Sequence, residues 1–199
     1  MPPTLVRLCL DSFRCCNDEE MDSRPIPLAL VVLVGPQASG KSALASGLAS
    51  ELRGRGERVA VVELDQVAAM ALPTLPSWEM AHRVFETVTG MWARADLTCV
   101  IAEGSGEPHE VARLLRQTPP NAVAITVATT APFEVALARA QADPTRGRSK
   151  ERDFLTRIYE AWPEKMAAID AHLVIDTSVH TLPESVERVR SAVDHARTA

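Results

Sequence analysis

The sequence has few of the features that mark secreted, membrane-spanning or nucleic-acid-binding proteins. Its four cysteines show no metal-ligand spacing with the five histidines. No apolar stretch is long enough to cross a membrane. No run of lysine and arginine suggests a nucleic-acid groove, and the formal net charge is -5. We therefore expect a cytoplasmic protein with reduced thiols, and neither a membrane nor nucleic acid as its partner.

Length and composition predict one folded domain. With 199 residues, of which 46% are hydrophobic and 24% charged, the chain can bury one sizeable α/β core. Residues 1–26 carry three of the four cysteines and an apolar segment too short for a signal peptide. We expect this part to be a mobile or loosely docked extension rather than a functional arm. The folded domain is expected over residues 27–199.

One motif dominates what is present. An apolar, β-branched stretch over 28–34 predicts a buried parallel strand, and the stretch 43–52 has the leucine spacing of a helix. The residues between them match G-x-x-x-x-G-K-[ST], the pattern of a phosphate-binding P-loop. They are Gly35, Pro36, Gln37, Ala38, Ser39, Gly40, Lys41 and Ser42. The motif thus lies between a strand and a helix, which is the context that nucleotide binding requires.

The chemistry of this motif predicts ATP and Mg²⁺ as ligands. Gly35 and Gly40 allow successive backbone N–H groups to converge on an anion. The helix that starts near Lys41 adds the positive end of its dipole. We expect Lys41 to contact the β- and γ-phosphates and the Ser42 hydroxyl to face Mg²⁺. A glycine turn that happens to carry a lysine is the alternative interpretation.

The rest of the sequence alternates predicted strands and helices. Four further apolar stretches predict strands over 58–64, 98–102, 122–128 and 172–176. Helices are predicted over 78–95, 108–117, 132–142, 149–170 and 183–197, with Pro163 kinking or breaking the fourth of these. The alternation predicts a parallel sheet covered by helices on both faces. Ligands of such sheets bind beyond the carboxyl ends of the strands, so the residues after each strand are site candidates.

Acidic residues follow the second and third strands. Asp65 is placed to position an acceptor hydroxyl or to accept its proton, with a helix N-cap as the structural alternative. Glu63 either shares that face or is a solvated strand-edge residue. Glu103 ends the third strand, where Mg²⁺ or its water shell is often held, or where a substrate hydroxyl could bind. Gly104 allows close approach of a substrate, with a plain turn as the alternative. Whether Asp65 or Glu103 is the base stays open.

Basic residues later in the chain predict a lid. The segment 143–153 contains four lysine or arginine residues and is broken by proline and glycine. We expect Arg146 and Arg148 to close on the transferring phosphoryl group, with a solvated charged loop as the alternative. Arg139 lies one helical turn earlier and is expected to face the nucleotide. Asp176 ends the fifth strand and is assigned to the nucleotide base, where a plain turn is equally expected.

Tryptophan and histidine receive structural interpretations. Trp78, Trp92 and Trp162 are more often core or helix-packing residues than ligand platforms. His82 and His109 have no partner spacing that indicates a metal. We therefore expect these five side chains to be core, satisfied or surface residues rather than site residues.

At this point the chain resembles the small P-loop kinases related to nucleoside monophosphate kinases, among them shikimate, gluconate and adenylylsulfate kinases and chloramphenicol phosphotransferase. The resemblance covers residues 28–195 and rests on the P-loop, Asp65, the Arg146/Arg148 segment and the ending 172–178. It implies ATP- and Mg²⁺-dependent transfer of the γ-phosphoryl group to a small acceptor. It also implies the three-layer P-loop NTPase sandwich, with a five-stranded parallel sheet in the order 2-3-1-4-5 and a short lid.

Two departures from these kinases leave the acceptor open. No Gly-Gly-Gly run follows the third strand, and the segment between Asp65 and Trp78 matches no acceptor signature. Arg83 is the only lysine or arginine between residues 66 and 92, and we assign it to acceptor binding. This scarcity of cations favours a neutral or weakly charged acceptor, such as an antibiotic, a sugar or another metabolite.

Two other functions compete with this interpretation. One is a nucleoside or nucleotide kinase. The other is a regulatory protein that binds ATP or GTP, has little transfer activity and changes its contacts with a partner on hydrolysis. The guanine-reading pattern Asn-Lys-x-Asp is absent, which counts against a GTPase. We expect a monomer or a homodimer.

Overall fold

Five strands form one parallel sheet in the computed structural model of this protein, which describes residues 26–199. The sheet order is β2-β3-β1-β4-β5, so the order implied by the resemblance to small P-loop kinases is confirmed. The strands are β1 (Ala29–Val34), β2 (Val59–Glu63), β3 (Cys99–Glu103), β4 (Val123–Thr130) and β5 (Leu173–Asp176). All but the last residue of the predicted extension at 1–26 lies outside the described residues.

Helices connect successive strands, as the alternating pattern predicts. They are α1 (Lys41–Gly54), α2 (Leu64–Ala69), α3 (Trp78–Ala93), α4 (Pro108–Leu115), α5 (Phe133–Ala142), α6 (Arg152–Ala167) and α7 (Leu182–Thr198). The helix predicted over 149–170 begins at Arg152 instead, after a 3₁₀ turn over Arg148–Lys150. The presence of α2 was indicated only by the N-cap alternative for Asp65. α6 continues through Pro163 without a break. Within residues 26–199, no helix is both long and apolar enough to cross a membrane.

The side chains of β1 alternate between two cores on opposite faces of the sheet. Leu30 and Val32 belong to one cluster, while Val31 and Leu33 belong to the other. All six residues of β1 are buried because the strand lies between β3 and β4 and is covered on both faces. Fully burying one such side chain contributes about 1.5–3 kcal/mol relative to leaving it exposed. This is why β1 reads as an uninterrupted apolar run.

Different helices complete the two cores and give the molecule three layers. Phe85 of α3, Leu114 of α4 and Trp162 of α6 complete the cluster on one face. Leu48 of α1 and Val189 of α7 complete the cluster on the other. The three-layer α/β sandwich expected from the sequence is therefore confirmed.

The parallel register brings the carboxyl ends of the strands to one edge of the sheet. Glu103, the last residue of β3, lies opposite Glu63 of β2 and opposite Leu33 of β1. The loop from β1 to α1 starts at this same edge. Residues far apart in sequence therefore meet around the P-loop, as expected for this architecture.

Candidate active site

The loop between β1 and α1 has the backbone conformation of a phosphate cradle. Gly35, Ala38 and Gly40 have positive φ angles of 153°, 61° and 96°. A Cβ atom on Gly35 would overlap Oγ1 of Thr129 on β4, so this position needs glycine for both conformation and space. The Oγ atom of Ser39 lies 2.7 Å from the same Thr129 oxygen. The loop is thereby fixed to the neighbouring strand.

The N-terminus of α1 is open to an anion. Gly40 is its N-cap residue and supplies no side-chain hydrogen bond to the first turn. The backbone N–H groups of that turn carry the partial positive charge of the helix dipole. An anion held in the loop would satisfy them.

The ammonium of Lys41 lies across the loop. Its Nζ donates hydrogen bonds to the backbone oxygens of Gly35, at 2.8 Å, and of Pro36, at 3.1 Å. Burial lowers the pKa of this ammonium, while the carboxylates of Glu103 and Asp65 act in the opposite direction. The Lys41 ammonium is buried and bonded to neutral carbonyl oxygens. A partner of full negative charge, such as a phosphate, would form stronger hydrogen bonds with it.

Glu103 joins the P-loop to the third strand. Its Oε1 accepts a hydrogen bond of 2.8 Å from the Ser42 hydroxyl. Its Oε2 is buried and has no hydrogen-bond partner among the described residues. Burial raises the pKa of Glu103, and the neighbouring Lys41 ammonium opposes that rise. The second oxygen is therefore a desolvated acceptor that a ligand could satisfy.

A cavity of about 250 Å³ opens beside this group. It is lined by Gly35, Pro36, Gln37, Lys41, Glu63, Leu64, Asp65, Trp78, His82, Glu103, Gly104, Ser105, Glu107, Ile158, Trp162 and Lys165. We call it the acidic cavity, because four of these side chains are carboxylates. It brings together Lys41, Asp65, Glu103 and Gly104 from the predicted site.

Asp65 lies in the first turn of α2, at the rim of the acidic cavity. Glu63, and not Asp65, occupies the N-cap position of this helix, so the N-cap alternative for Asp65 is wrong. Asp65 is exposed, and Glu63 also lines the cavity. The sharp passage from β2 into α2 is what places two carboxylates of neighbouring sequence on the same wall.

Glu110 of α4 holds the turn that follows β3. Its carboxylate accepts hydrogen bonds from the backbone N–H and the hydroxyl of Ser105. Its Oε2 also lies 2.5 Å from Nδ1 of His82 on α3. A Cβ atom on Gly104 would overlap this carboxylate, so glycine is required for the turn to pass so close. The floor of the acidic cavity is therefore a rigid, hydrogen-bonded unit.

A second cavity, of about 420 Å³, lies on the other side of the P-loop. It is lined by Gly40, Ala43, Leu44, Arg139, Thr177, His180, Thr181, Leu182 and Ser185. We call it the Arg139 cavity. The Arg139 guanidinium donates hydrogen bonds of 2.8 and 2.9 Å to the hydroxyl and carbonyl oxygens of Thr177. The Thr177 hydroxyl in turn donates to the Ser39 carbonyl at 2.7 Å, which fixes this cavity to the loop.

The predicted lid places its two arginines differently. Arg146 forms an ion pair of 3.2 Å with Asp143 and lies close enough to the P-loop to add to the lowering of the Lys41 pKa, which is mainly due to burial. The Arg148 guanidinium instead lies 4.8 Å from the centre of the Phe154 ring. It faces a shallow cavity between the lid and α6, so the structure does not bring it to the P-loop.

Two more of the predicted residues also lie apart from the cavities. Arg83 is exposed on α3 and is not among the residues that line the acidic cavity. Asp176 ends β5, and its Oδ1 accepts hydrogen bonds from the backbone and hydroxyl of Ser178. It shapes the turn beside Thr177 and does not itself line the Arg139 cavity.

Comparison with known proteins gives a consistent result for the fold. No family model and no curated protein matches the sequence. A shikimate kinase from Bacteroides thetaiotaomicron is 16% identical, with a TM-score of 0.61, over 83% of this chain and 98% of that chain. A sugar kinase from Janibacter sp. is 22% identical, with a TM-score of 0.59, over 86% of this chain and 98% of that chain. A shikimate kinase from Acinetobacter baumannii, in complex with shikimate, gives 19% and 0.54 over 84% and 94%.

The chain has the fold of the small P-loop kinases. At these identities the similarity establishes the fold and nothing about the substrate. It covers nearly the whole length of each of these proteins, so the shared architecture includes the helices around the P-loop as well as the sheet.

The residues present fit the ligands that this fold implies. The open N-terminus of α1 and the positive φ angles of the loop suit a phosphate chain. The Ser42 hydroxyl and the unpartnered Glu103 oxygen suit Mg²⁺, which takes one or two protein oxygens and completes its shell with water and phosphate. Within the described residues no three histidine, cysteine or carboxylate side chains cluster as a metal site, which agrees with such a sparse donor set.

Three side chains that line the acidic cavity have structural interpretations in the sequence analysis. Trp78 and Trp162 were expected in the core or in helix packing, and His82 as a satisfied or surface residue, yet all three line the cavity. Trp162 is also 5% exposed and packs in the core, so both descriptions hold for it. The wide spacing of α3 and α6 in the sequence gave no sign that they face one another across a ligand site.

Proposed function

We propose that this protein is an ATP-dependent phosphotransferase that moves the γ-phosphoryl group to a hydroxyl of a small molecule, such as a metabolite or an antibiotic. One observation carries the proposal. The acidic cavity places an exposed carboxylate, Asp65, in the same pocket as the P-loop lysine, Lys41, with Glu103 beside them. A protein that only bound nucleotide would need no pocket beyond the phosphates, and one that only hydrolysed nucleotide would need room for a water rather than a cavity of about 250 Å³.

The nucleotide would span the two cavities. Its phosphates would lie on the loop 35–42, where the open end of α1 provides N–H groups. Its base would enter the Arg139 cavity, whose apolar wall of Ala43, Leu44 and Leu182 suits an aromatic ring. The γ-phosphate would then face the acidic cavity, since Lys41 lines that side.

Electrostatic stabilisation would supply much of the catalysis. Lys41 would exchange its two carbonyl partners for phosphate oxygens and counter the charge on the transferring group. Mg²⁺, held by Ser42 and Glu103 with water, would neutralise further phosphate charge. Arg146 already lies near Lys41 and would add to this on the lid side. For Arg148 to take part, as the sequence suggests, its guanidinium would have to leave the Phe154 ring.

Asp65 would act on the acceptor. Its carboxylate would orient the acceptor hydroxyl and take its proton as the oxygen attacks the γ-phosphorus. A phosphorus–oxygen bond forms to the acceptor, the bond to ADP breaks, and ADP leaves with the electron pair. Because Asp65 is exposed while Glu103 is buried and bonded to Ser42, Asp65 suits proton transfer and Glu103 suits the metal side.

An ATP-consumption screen tests this proposal. Purified protein with ATP and Mg²⁺ would be incubated with hydroxylated metabolites and antibiotics, and ADP and phosphorylated acceptor would be measured together by mass spectrometry. We expect ADP formation that depends on an acceptor and matches phosphorylated product one to one. Rapid ADP formation without any acceptor would favour a nucleotide-dependent switch, and a preference for nucleoside monophosphates would favour a nucleotide kinase.

A further inference from the structure

The acidic cavity has more negative than positive groups. Its lining contains the carboxylates of Glu63, Asp65, Glu103 and Glu107, against the ammonium groups of Lys41 and Lys165, with His82 as the remaining titratable group. The scarcity of lysine and arginine between residues 66 and 92 predicts a neutral or weakly charged acceptor, but this prediction considers only the cations of that segment. The carboxylates that fold into the pocket from β2, β3 and the turn after β3 were not part of that count.

Both ammonium groups already have partners. Lys165 of α6 forms an ion pair with Glu107 across the cavity. Lys41 is bonded to the loop and, under the proposed function, faces the phosphates. Glu63 and Asp65 line the pocket and form no ion pair with a lysine or arginine among the described residues.

The arginines nearby are also engaged elsewhere. Arg113 binds Glu79 and Glu86, Arg146 binds Asp143, and Arg148 lies over Phe154. Arg83 is exposed and does not line the cavity. Recognition of an acid usually relies on the paired donors of a guanidinium, and no arginine of residues 26–199 lines this pocket. An acceptor with a carboxylate would meet the acidic side chains of Glu63 and Asp65 instead.

Two buried polar atoms in the cavity wall lack partners among the described residues. Oε2 of Glu103, a residue 8% exposed, has no donor, and Nε1 of Trp162, a residue 5% exposed, has no acceptor. Buried groups of this kind are normally satisfied. An ammonium or a metal-bound water would satisfy the oxygen, and a hydroxyl would satisfy the indole N–H. The need of these two atoms for hydrogen-bond partners does not depend on the number of charged groups in the cavity lining.

Aromatic surface completes the pocket. Trp162 forms part of the wall, and Trp78 lies at the opening with 55% of its surface exposed. Indole faces attract cations as well as the C–H faces of sugar rings. Carboxylates beside indoles are a combination that suits an organic cation.

We propose that the phosphoryl acceptor is a hydroxyl-bearing amine, such as an amino sugar or an amino alcohol, bound with its ammonium toward Glu63 and Asp65 and its ring against Trp78 and Trp162. This rests on the proposed function, since it names the acceptor class of the same site. It also separates this protein from the shikimate kinases that share its fold, because shikimate is an acid. The ammonium lies against Glu63 and leaves the Asp65 carboxylate able to receive the hydroxyl proton.

Matched acceptors test the charge directly. The first set consists of D-glucosamine, N-acetyl-D-glucosamine and D-glucuronate, which share one ring and differ in charge. A wider panel of polyols and antibiotics extends this set with further amines, neutral compounds and acids. Binding would be measured by calorimetry in the presence of a non-hydrolysable ATP analogue and Mg²⁺, and turnover by phosphorylated product. We expect the dissociation constants of the amines to be lower than those of their neutral partners by about tenfold or more. The acids should have the highest dissociation constants.

Variants of Glu63 assign the effect to the cavity. Glu63→Gln should reduce the amine preference by about tenfold, and Glu63→Lys should shift the preference toward acids. Glu160→Gln, an exposed carboxylate on α6 that lines neither cavity, is the matched control and should keep the preference. Melting temperatures of all three variants would confirm that they fold.

The outcomes separate the two proposals. Equal or tighter binding of neutral or acidic members, or no binding of any amine in the panel, would overturn the amine acceptor while leaving phosphotransfer intact if another compound is phosphorylated. Tight binding of amines with no phosphorylated product from any compound would instead overturn the phosphotransferase. An amine preference that Glu63→Gln leaves unchanged would also contradict the proposed location.

Discussion

The two cavities on either side of the P-loop differ in chemistry. The acidic cavity has four carboxylates, two indoles and a rigid turn held by Glu110. Among the residues that the structure describes, the lining of the Arg139 cavity includes no carboxylate and combines apolar side chains with one guanidinium and one histidine. Both touch the loop, the first through Gly35 and Lys41 and the second through Gly40. Under the proposed function, one loop would thus border both ligands, the nucleotide in the Arg139 cavity and the acceptor in the acidic cavity.

Under the proposed function, this difference would place acceptor specificity in the acidic cavity. The Arg139 cavity is fixed to the loop by a short connection, from the guanidinium through Thr177 to the Ser39 carbonyl. The acidic cavity is lined by side chains from six separate elements, namely α1, β2, α2, α3, β3 and α6. Substitutions should therefore separate nucleotide effects from acceptor effects, according to the cavity that they alter.

Lys41→Ala should have the largest effect, because Lys41 borders the transfer site itself. We expect kcat/KM for phosphoryl transfer to fall by about a thousandfold or more, since the charge on the transferring group loses its main counter-charge. Steady-state kinetics measure the loss. Arg53→Ala, at the other end of α1, is the control and should stay within about twofold. Appreciable turnover in a folded Lys41→Ala variant would contradict the mechanism.

Asp65→Asn should affect the acidic cavity alone. The amide keeps the shape of the side chain but cannot take the acceptor proton, so kcat should fall by about a hundredfold or more. The dissociation constant for ATP, measured by calorimetry without acceptor, should change by less than about twofold. A large loss of ATP affinity with unchanged kcat would place Asp65 on the nucleotide side and break the division between the cavities.

Arg139→Ala should affect the Arg139 cavity alone. Loss of the guanidinium removes two hydrogen bonds to Thr177 and one wall of the cavity, so we expect KM for ATP to rise by about tenfold. KM for the acceptor should stay within about twofold. If acceptor KM rose as much as ATP KM, the two cavities would not be independent.

The smallest expected effect is a change in thermal stability. Glu103→Gln should alter the melting temperature by an amount that depends on pH. Burial raises the pKa of Glu103 above its ordinary value of 4.5. Below that ordinary value the carboxyl is protonated in both the folded and unfolded states and costs nothing. As pH rises through the raised folded value, the buried charge lowers the free energy of unfolding of the wild type. Without ATP and Mg²⁺, the variant should therefore melt above the wild type at neutral pH.

This difference in melting temperature should shrink as the pH falls toward the ordinary carboxyl range. Thermal unfolding monitored by circular dichroism across this range measures it. Glu160→Gln, in which an exposed carboxylate changes, should show no such trend. A Glu103→Gln variant that melted below the wild type at neutral pH would mean that the Glu103 charge stabilises the folded protein.

The strands and the P-loop could be predicted because their signals are local. The apolar run of β1 and the spacing of Gly35, Gly40 and Lys41 need no tertiary information. Asp65 and Glu103 could be found because each follows a strand, and parallel strands end at one edge. The sheet order came from the resemblance to small P-loop kinases and not from the pattern itself.

The lining of the acidic cavity could not be predicted, since it depends on packing between distant elements. Trp78 begins α3 and Trp162 lies near the end of α6, 84 positions apart in the printed sequence. Glu110 is buried because His82 and the turn after β3 surround it, a role that its position in α4 does not indicate. Arg148 is predicted to contact the phosphates because its segment is rich in lysine and arginine. In the structure its guanidinium lies over the ring of Phe154 instead.

A crystal structure with a non-hydrolysable ATP analogue and Mg²⁺ is the most direct test of the account. We expect the phosphates on residues 35–42, the base in the Arg139 cavity, and the γ-phosphate directed at Asp65 within the acidic cavity. A base in the acidic cavity, or phosphates bound away from the loop, would contradict the division of the site that every prediction above assumes.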